Sequence, residues 1–175
     1  MGYLGDFAEL LRGIEGMAGL HVPELLDRVF PSLRYIQITR NDKVRQAVSL
    51  WRAVQTQAWR QTAGEDARAR VEPAFSFRAI NYLVRLLTAH DASWDAYFLG
   101  LGLEPLKVTY EELAAAPGDT VAGVLAYLGL DPEATRALEP PRLRVQADER
   151  SEDWVRRVHE HLSALETEDA VVVER

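Results

Sequence analysis

The chain has no cysteine. That excludes disulfides, thiolate metal sites and thiol nucleophiles, and lets the chain fold in any redox compartment. Histidine is scarce, confined to His21, His90, His159 and His161. His159 and His161 stand two apart on a predicted helix, roughly 200° around its axis, too far apart to chelate one ion. No metal is expected. No apolar run reaches the length of a membrane span, and the first residues, MGYLGDFAELLRGIEG, lack a basic region followed by a long apolar stretch. Asp6 also breaks the pattern for myristoylation at Gly2. A cytoplasmic protein without a membrane partner is the expectation. Basic residues are outnumbered, 20 against 27, for a net charge of −7. Nonspecific nucleic-acid binding is therefore disfavoured.

What is present suits a globular protein of 175 residues with 47% hydrophobic content, one domain by size. Apolar residues recur at helical spacing over 3–14, 22–29, 43–60 and 75–98, with a break expected near His90-Asp91. Further helices are expected at 110–116, 120–128, 131–139 and 151–164. Two strands are expected, Tyr35–Thr39 and Leu106–Tyr110, and the Ala170–Val173 run could pair as another. Residues 61–74 and 140–150 read as surface loops. Helices thus outnumber strands in an α/β chain. A parallel sheet of only two strands would leave its edges open, so either strands lie outside these residues or a second subunit completes the sheet.

The most informative run is YIQITRNDKVRQAVSLW, from Tyr35 to Trp51. A strand ends in Arg40, turns through Asn41-Asp42, either of which can cap, and enters a helix carrying Ser49. Ligands of open α/β folds collect at strand C-terminal ends. Helix N-termini there favour anions, and an arginine can grip a phosphate through two N–H groups. Ser49 lies about 100° from Val48, at the margin of the apolar stripe. Arg40 and Ser49 are the candidate anion ligands. The alternatives are a structural ion pair for Arg40 and a bond from the Ser49 hydroxyl back to the Arg45 carbonyl. Lys43 and Arg45 read as solvated charges. Glu111 could approach a pocket or offset a helix dipole, and Trp59 could line one. Arg142 and Arg144 could cover a nucleotide or stand as surface charge.

These residues resemble the sulfotransferase family, and in particular its bacterial trehalose-sulfotransferase-like branch. The resemblance is carried by RNDKVRQAVSLWRAVQTQAW from Arg40 to Trp59, then by Trp94 with Tyr97-Phe98. It continues through PLKVTYEEL at 105–113, Pro117, YLGL at 127–130, Gln146-Ala147-Asp148 and Trp154. It implies a helix-rich, partial P-loop-type three-layer α/β fold with few parallel strands. It also implies 3′-phosphoadenosine-5′-phosphosulfate (PAPS) or adenosine 3′,5′-bisphosphate as the nucleotide, with Arg40 and Ser49 on its 3′-phosphate. The acceptor would be a hydroxyl of a carbohydrate or another small molecule. Asn41 stands where a second arginine is common.

The family's Pro-Arg-Ser/Thr-Gly-Ser/Thr-type loop for the 5′-phosphosulfate does not occur in these residues, and neither does its usual acidic base. The expectation is an N-terminally truncated chain that lacks the first strand, that loop and the helix after it, which exposes the flank of strand 35–39 and favours a homodimer. A non-catalytic nucleotide-binding or scaffold protein, or an enzyme repurposed for chemistry without PAPS, are the other readings.

Overall fold

The computed structural model describes residues 2–57, 72–133 and 149–173, with side chains from Leu4 to Leu165 within those spans. In chain order the elements are α1 (Gly2–Arg12), α2 (Val22–Val29), β1 (Ile36–Thr39), α3 (Lys43–Thr56) and α4 (Phe77–Gly100). They continue with β2 (Leu106–Thr109), α5 (Tyr110–Ala115), α6 (Pro117–Leu128) and α7 (Glu149–Val173). This is a helix-rich α/β fold with a small parallel sheet. The chain divides into two compact units, Met1–Thr39 with His90–Arg136, and Arg40–Ala89 with Ala137–Arg175.

The first unit holds the sheet. Among the described residues it has two strands, β1 and β2, parallel, with Ile36 opposite Leu106 and Thr39 opposite Thr109. Side chains alternate between faces. On one face Gln37 and Lys107 both reach the same oxygen of Asp95 from α4, at 3.2 and 2.9 Å. Thr39 donates to Asp91 one turn earlier on α4, at 2.6 Å. On the other face Val108 is buried, whereas Ile38 beside it remains 73% exposed; α5 and α6 both contact β2. A separate apolar cluster joins α1 and α2, with Ala8, Leu11, Leu25 and Leu26 at its centre. Tyr35 meets Phe98 edge-on at 5.4 Å, and Trp94 stacks near Phe98 at 5.7 Å.

The second unit is helical. Ala47 and Val48 of α3, Ile80 of α4, and Trp154, Val155 and Val158 of α7 form its buried core. Phe75 meets the Trp154 ring edge-on at 5.8 Å, and Arg157 covers the Phe75 ring at 3.7 Å. A guanidinium over an aromatic face adds attraction to the burial of its aliphatic stem.

Several expected boundaries move. The predicted helix 43–60 stops at Thr56 because Gln57 adopts a left-handed φ of 55°. Val54, in the last turn of α3, is 42% exposed. No break interrupts α4 at His90-Asp91. Neither residue removes a backbone donor as proline would, and Asp91 turns its carboxylate to Thr39. The Ala170–Val173 run continues α7 instead of forming a strand. Each residue added to an existing helix gains a backbone hydrogen bond without a new nucleation cost. The expected features at 61–71, 134–139 and 140–148 lie outside the described residues.

Candidate functional site

The junction after β1 is built by local capping. Asp42 is the N-cap of α3, and its carboxylate accepts the Arg45 backbone N–H at 2.8 Å. This satisfies one of the donors that the first helical turn leaves open. Asn41 precedes the cap. Arg45 then folds back, its Nε 2.8 Å from the other Asp42 oxygen, and also pairs with Glu152 of α7. These carboxylates, chiefly Glu152, raise the Arg45 pKa above its ordinary value. Lys43 donates to Gln46 at 3.3 Å. Arg45 is thus engaged with two carboxylates while its own side chain stays 39% exposed.

Arg40 and Ser49 are both half-buried. Arg40 stands two residues before the cap. Ser49 lies seven residues beyond it, about 10 Å along the helix axis at 1.5 Å per residue. A direct arginine-to-serine contact is not needed for both to meet one ligand, since the guanidinium sits at the end of a long flexible stem. The Ser49 hydroxyl makes no bond to the Arg45 carbonyl, whereas Thr56 and Thr88 do bond back to the carbonyls of Arg52 and Val84. Ser49 is therefore not spent on its own helix backbone. The N-terminus of α3, by contrast, already carries the Asp42 carboxylate, which opposes an incoming anion. Anion binding here has to rest on side chains rather than on the helix dipole.

At the end of β2 the chemistry is structural. Thr109 caps α5, accepting the Glu112 N–H at 3.1 Å, while Glu112 accepts from the Thr109 backbone N–H at 2.8 Å. This reciprocal box lowers the Glu112 pKa, the backbone bond contributing most. Glu112, one residue beyond the Glu111 singled out from sequence, carries that role. The signal was legible as Thr-x-x-Glu before a helix. Trp51 donates its indole N–H to the Ala74 carbonyl at 2.9 Å and packs on the second core. Trp59, Arg142 and Arg144 lie outside the described residues, as does the Gln146-Ala147-Asp148 match.

Comparison with known proteins bears on most of the chain. The model of the Stf0 sulphotransferase family matches residues 3–161. The chain belongs to the Stf0 sulphotransferase family. Trehalose 2-sulfotransferase of Mycolicibacterium smegmatis is 41% identical over 122 residues, which is 70% of this chain and 44% of that protein. Trehalose 2-sulfotransferase of Mycobacterium tuberculosis is 37% identical over 123 residues, with the same coverage of 70% and 44%. The matched stretch thus spans less than half the length of these curated relatives. No described helix is long and apolar enough to cross a membrane.

Proposed function

We propose that this Stf0-family chain carries the 3′-phosphate part of a PAPS site and serves sulfuryl transfer to a hydroxyl of a carbohydrate or small molecule. The observation that carries this reading is the family match across 3–161, which includes the Arg40 to Ser49 stretch. Arg40 would grip the 3′-phosphate of PAPS or adenosine 3′,5′-bisphosphate by charge-assisted bonds. Ser49 would add a neutral hydroxyl donor at the edge of the same phosphate. Both side chains suit these roles, being half-buried, and Ser49 is not tied to the Arg45 carbonyl. PAPS supplies the transferable sulfuryl group. A sugar hydroxyl as acceptor is supported by the two trehalose 2-sulfotransferases that share up to 41% identity with the chain.

Holding the 3′-phosphate orients the cosubstrate but does nothing at the reacting sulfur. Transfer also needs donors around the developing charge and a base at the acceptor hydroxyl. The 175 residues contain neither the family's phosphosulfate loop nor its usual acidic base. This favours a second reading, in which these 175 residues bind the nucleotide without turnover. Incubation with PAPS and trehalose tests whether these residues turn over by themselves. No sulfated sugar is expected from this polypeptide alone, and turnover by homogeneous protein would show a reacting centre that the sequence does not reveal.

A further inference from the structure

Helix α1 carries more apolar surface than its own core uses. Leu4, Ala8 and Leu11 pack with Leu25 and Leu26 of α2. Phe7 and Leu10 continue the apolar arc around the helix. Ile14 extends it through the turn in which its N–H donates to the Leu11 carbonyl at 3.1 Å. At about 100° per residue, the arc from Ala8 round to Leu10 spans about 160°. A helix that covers one core needs about 100°. The surplus is exposed, Leu10 at 75% and Ile14 at 47%. Phe30, the C-cap of α2, stacks on Phe7 at 6.4 Å and widens the patch.

The charge around this patch is mainly of one sign. Asp6 lies about 40° beyond Leu10 around the helix. Glu15 follows Ile14, and Asp27 stands three residues before Phe30; all three are exposed. Arg28 offsets one of them, whereas Arg12 is bonded to Glu9 and to the Leu20 carbonyl. The imbalance extends through the whole first unit. Of the 27 acidic and 20 basic residues, Met1–Thr39 with His90–Arg136 carries 13 and 5, and the second unit carries 14 and 15.

We propose that the Phe7–Leu10–Ile14 patch docks an amphipathic helix of another polypeptide, its apolar face flanked by lysine and arginine. An apolar stripe seats such a helix through anchors at i, i+3 and i+7, which is the spacing of Phe7, Leu10 and Ile14 themselves. Basic flanks meet the acidic border and select against acidic partners. A second copy fits this patch less well, because a two-fold contact sets like residues near one another and brings two copies of Asp6 and Glu15 to one seam. The patch is independent of the nucleotide reading, since it shares no residue with the Arg40–Ser49 stretch.

The probe is a short leucine–lysine peptide with its leucines at helical spacing, titrated into the full chain by calorimetry. The controls are a shuffled peptide of the same composition and a leucine–glutamate peptide of the same spacing. Saturable one-to-one binding of the leucine–lysine peptide is expected, at least tenfold tighter than the shuffled peptide, with no binding of the acidic one. Leu10→Gln should weaken it at least fivefold, and Asp6→Asn at least twofold at low salt, with Tm unchanged in both. Ile38→Lys, on the sheet, should leave the affinity as it is. Equal affinity for the shuffled peptide reduces the effect to general charge attraction and overturns the proposal. Unchanged affinity in Leu10→Gln does the same, as does a lowered Tm, which would mean that Leu10 is already packed. Absence of binding also overturns it, and loss of self-association in Leu10→Gln would then assign the patch to a second copy. Adenosine 3′,5′-bisphosphate affinity reads the nucleotide site separately, and neither Leu10→Gln nor Asp6→Asn should change it.

Discussion

The Nε of Arg45 sits 2.8 Å from the carboxylate of Asp42, across the first turn of α3. The same carboxylate caps the helix, so one acidic residue organises both the backbone and the nearest cation. Of the basic cluster Arg40-Lys43-Arg45, the last member is thereby assigned to structure. Arg45→Ala should leave the affinity for adenosine 3′,5′-bisphosphate within about twofold of wild type. Its stability cost should stay below about 1 kcal/mol, the usual ceiling for partly exposed ion pairs. Calorimetric titration and thermal melts check both; a tenfold loss of affinity would return Arg45 to the phosphate.

The Thr109–Glu112 box sets a pH dependence. The folded-state pKa of Glu112 is depressed, as is that of Asp95 through its bonds from Lys107 and Gln37. The stabilisation is complete above the unfolded-state value and is lost as pH falls through the folded value. Stability should therefore decline progressively below about pH 4.5, a window set by the ordinary carboxylate range. Glu112→Gln should flatten part of that decline, leaving the Asp95 share. Thr109→Ala should cost about 1 kcal/mol at neutral pH through loss of the cap. Melting curves recorded from pH 3 to 7 test each; identical acid profiles for wild type and Glu112→Gln would contradict the assignment.

Strong local signals were legible in the sequence. The strand–arginine–turn–helix order at Tyr35–Trp51 is observed, with Asp42 capping. Pro23 sits in the first turn of α2, as its fixed φ favours, whereas α6 starts at Pro117, three residues before the expected 120. The errors arose where one local pattern had two continuations. Ala170–Val173 has the β-branched content of a strand, yet a helix already running through it decides its conformation. Gln57 ends α3 in a left-handed conformation that no glycine announces. Arg45 could not be assigned beforehand because its partner Glu152 lies 107 residues away in sequence.

Self-association should follow from the sheet. Among the described residues β1 pairs only with β2, and Ile38 points outward at 73% exposure. Leu10 and Leu99 are also 75% and 84% exposed. Open parallel edges and apolar patches favour pairing with another chain. Light scattering across a wide concentration range should show a homodimer, with an interface above about 1,000 Å². Ile38→Lys should shift it towards monomer. A monodisperse 19.7 kDa species at all concentrations would contradict the prediction.

The most direct test concerns Arg40 and Ser49 themselves. Calorimetric titration of adenosine 3′,5′-bisphosphate into the 175-residue chain should show saturable binding. Arg40→Ala should weaken it by about 1–3 kcal/mol, the loss of a charge-assisted contact. Ser49→Ala should cost about 1 kcal/mol, the share of one neutral hydrogen bond. Absence of binding by the wild-type chain, or equal affinities for wild type and Arg40→Ala, would contradict the 3′-phosphate site.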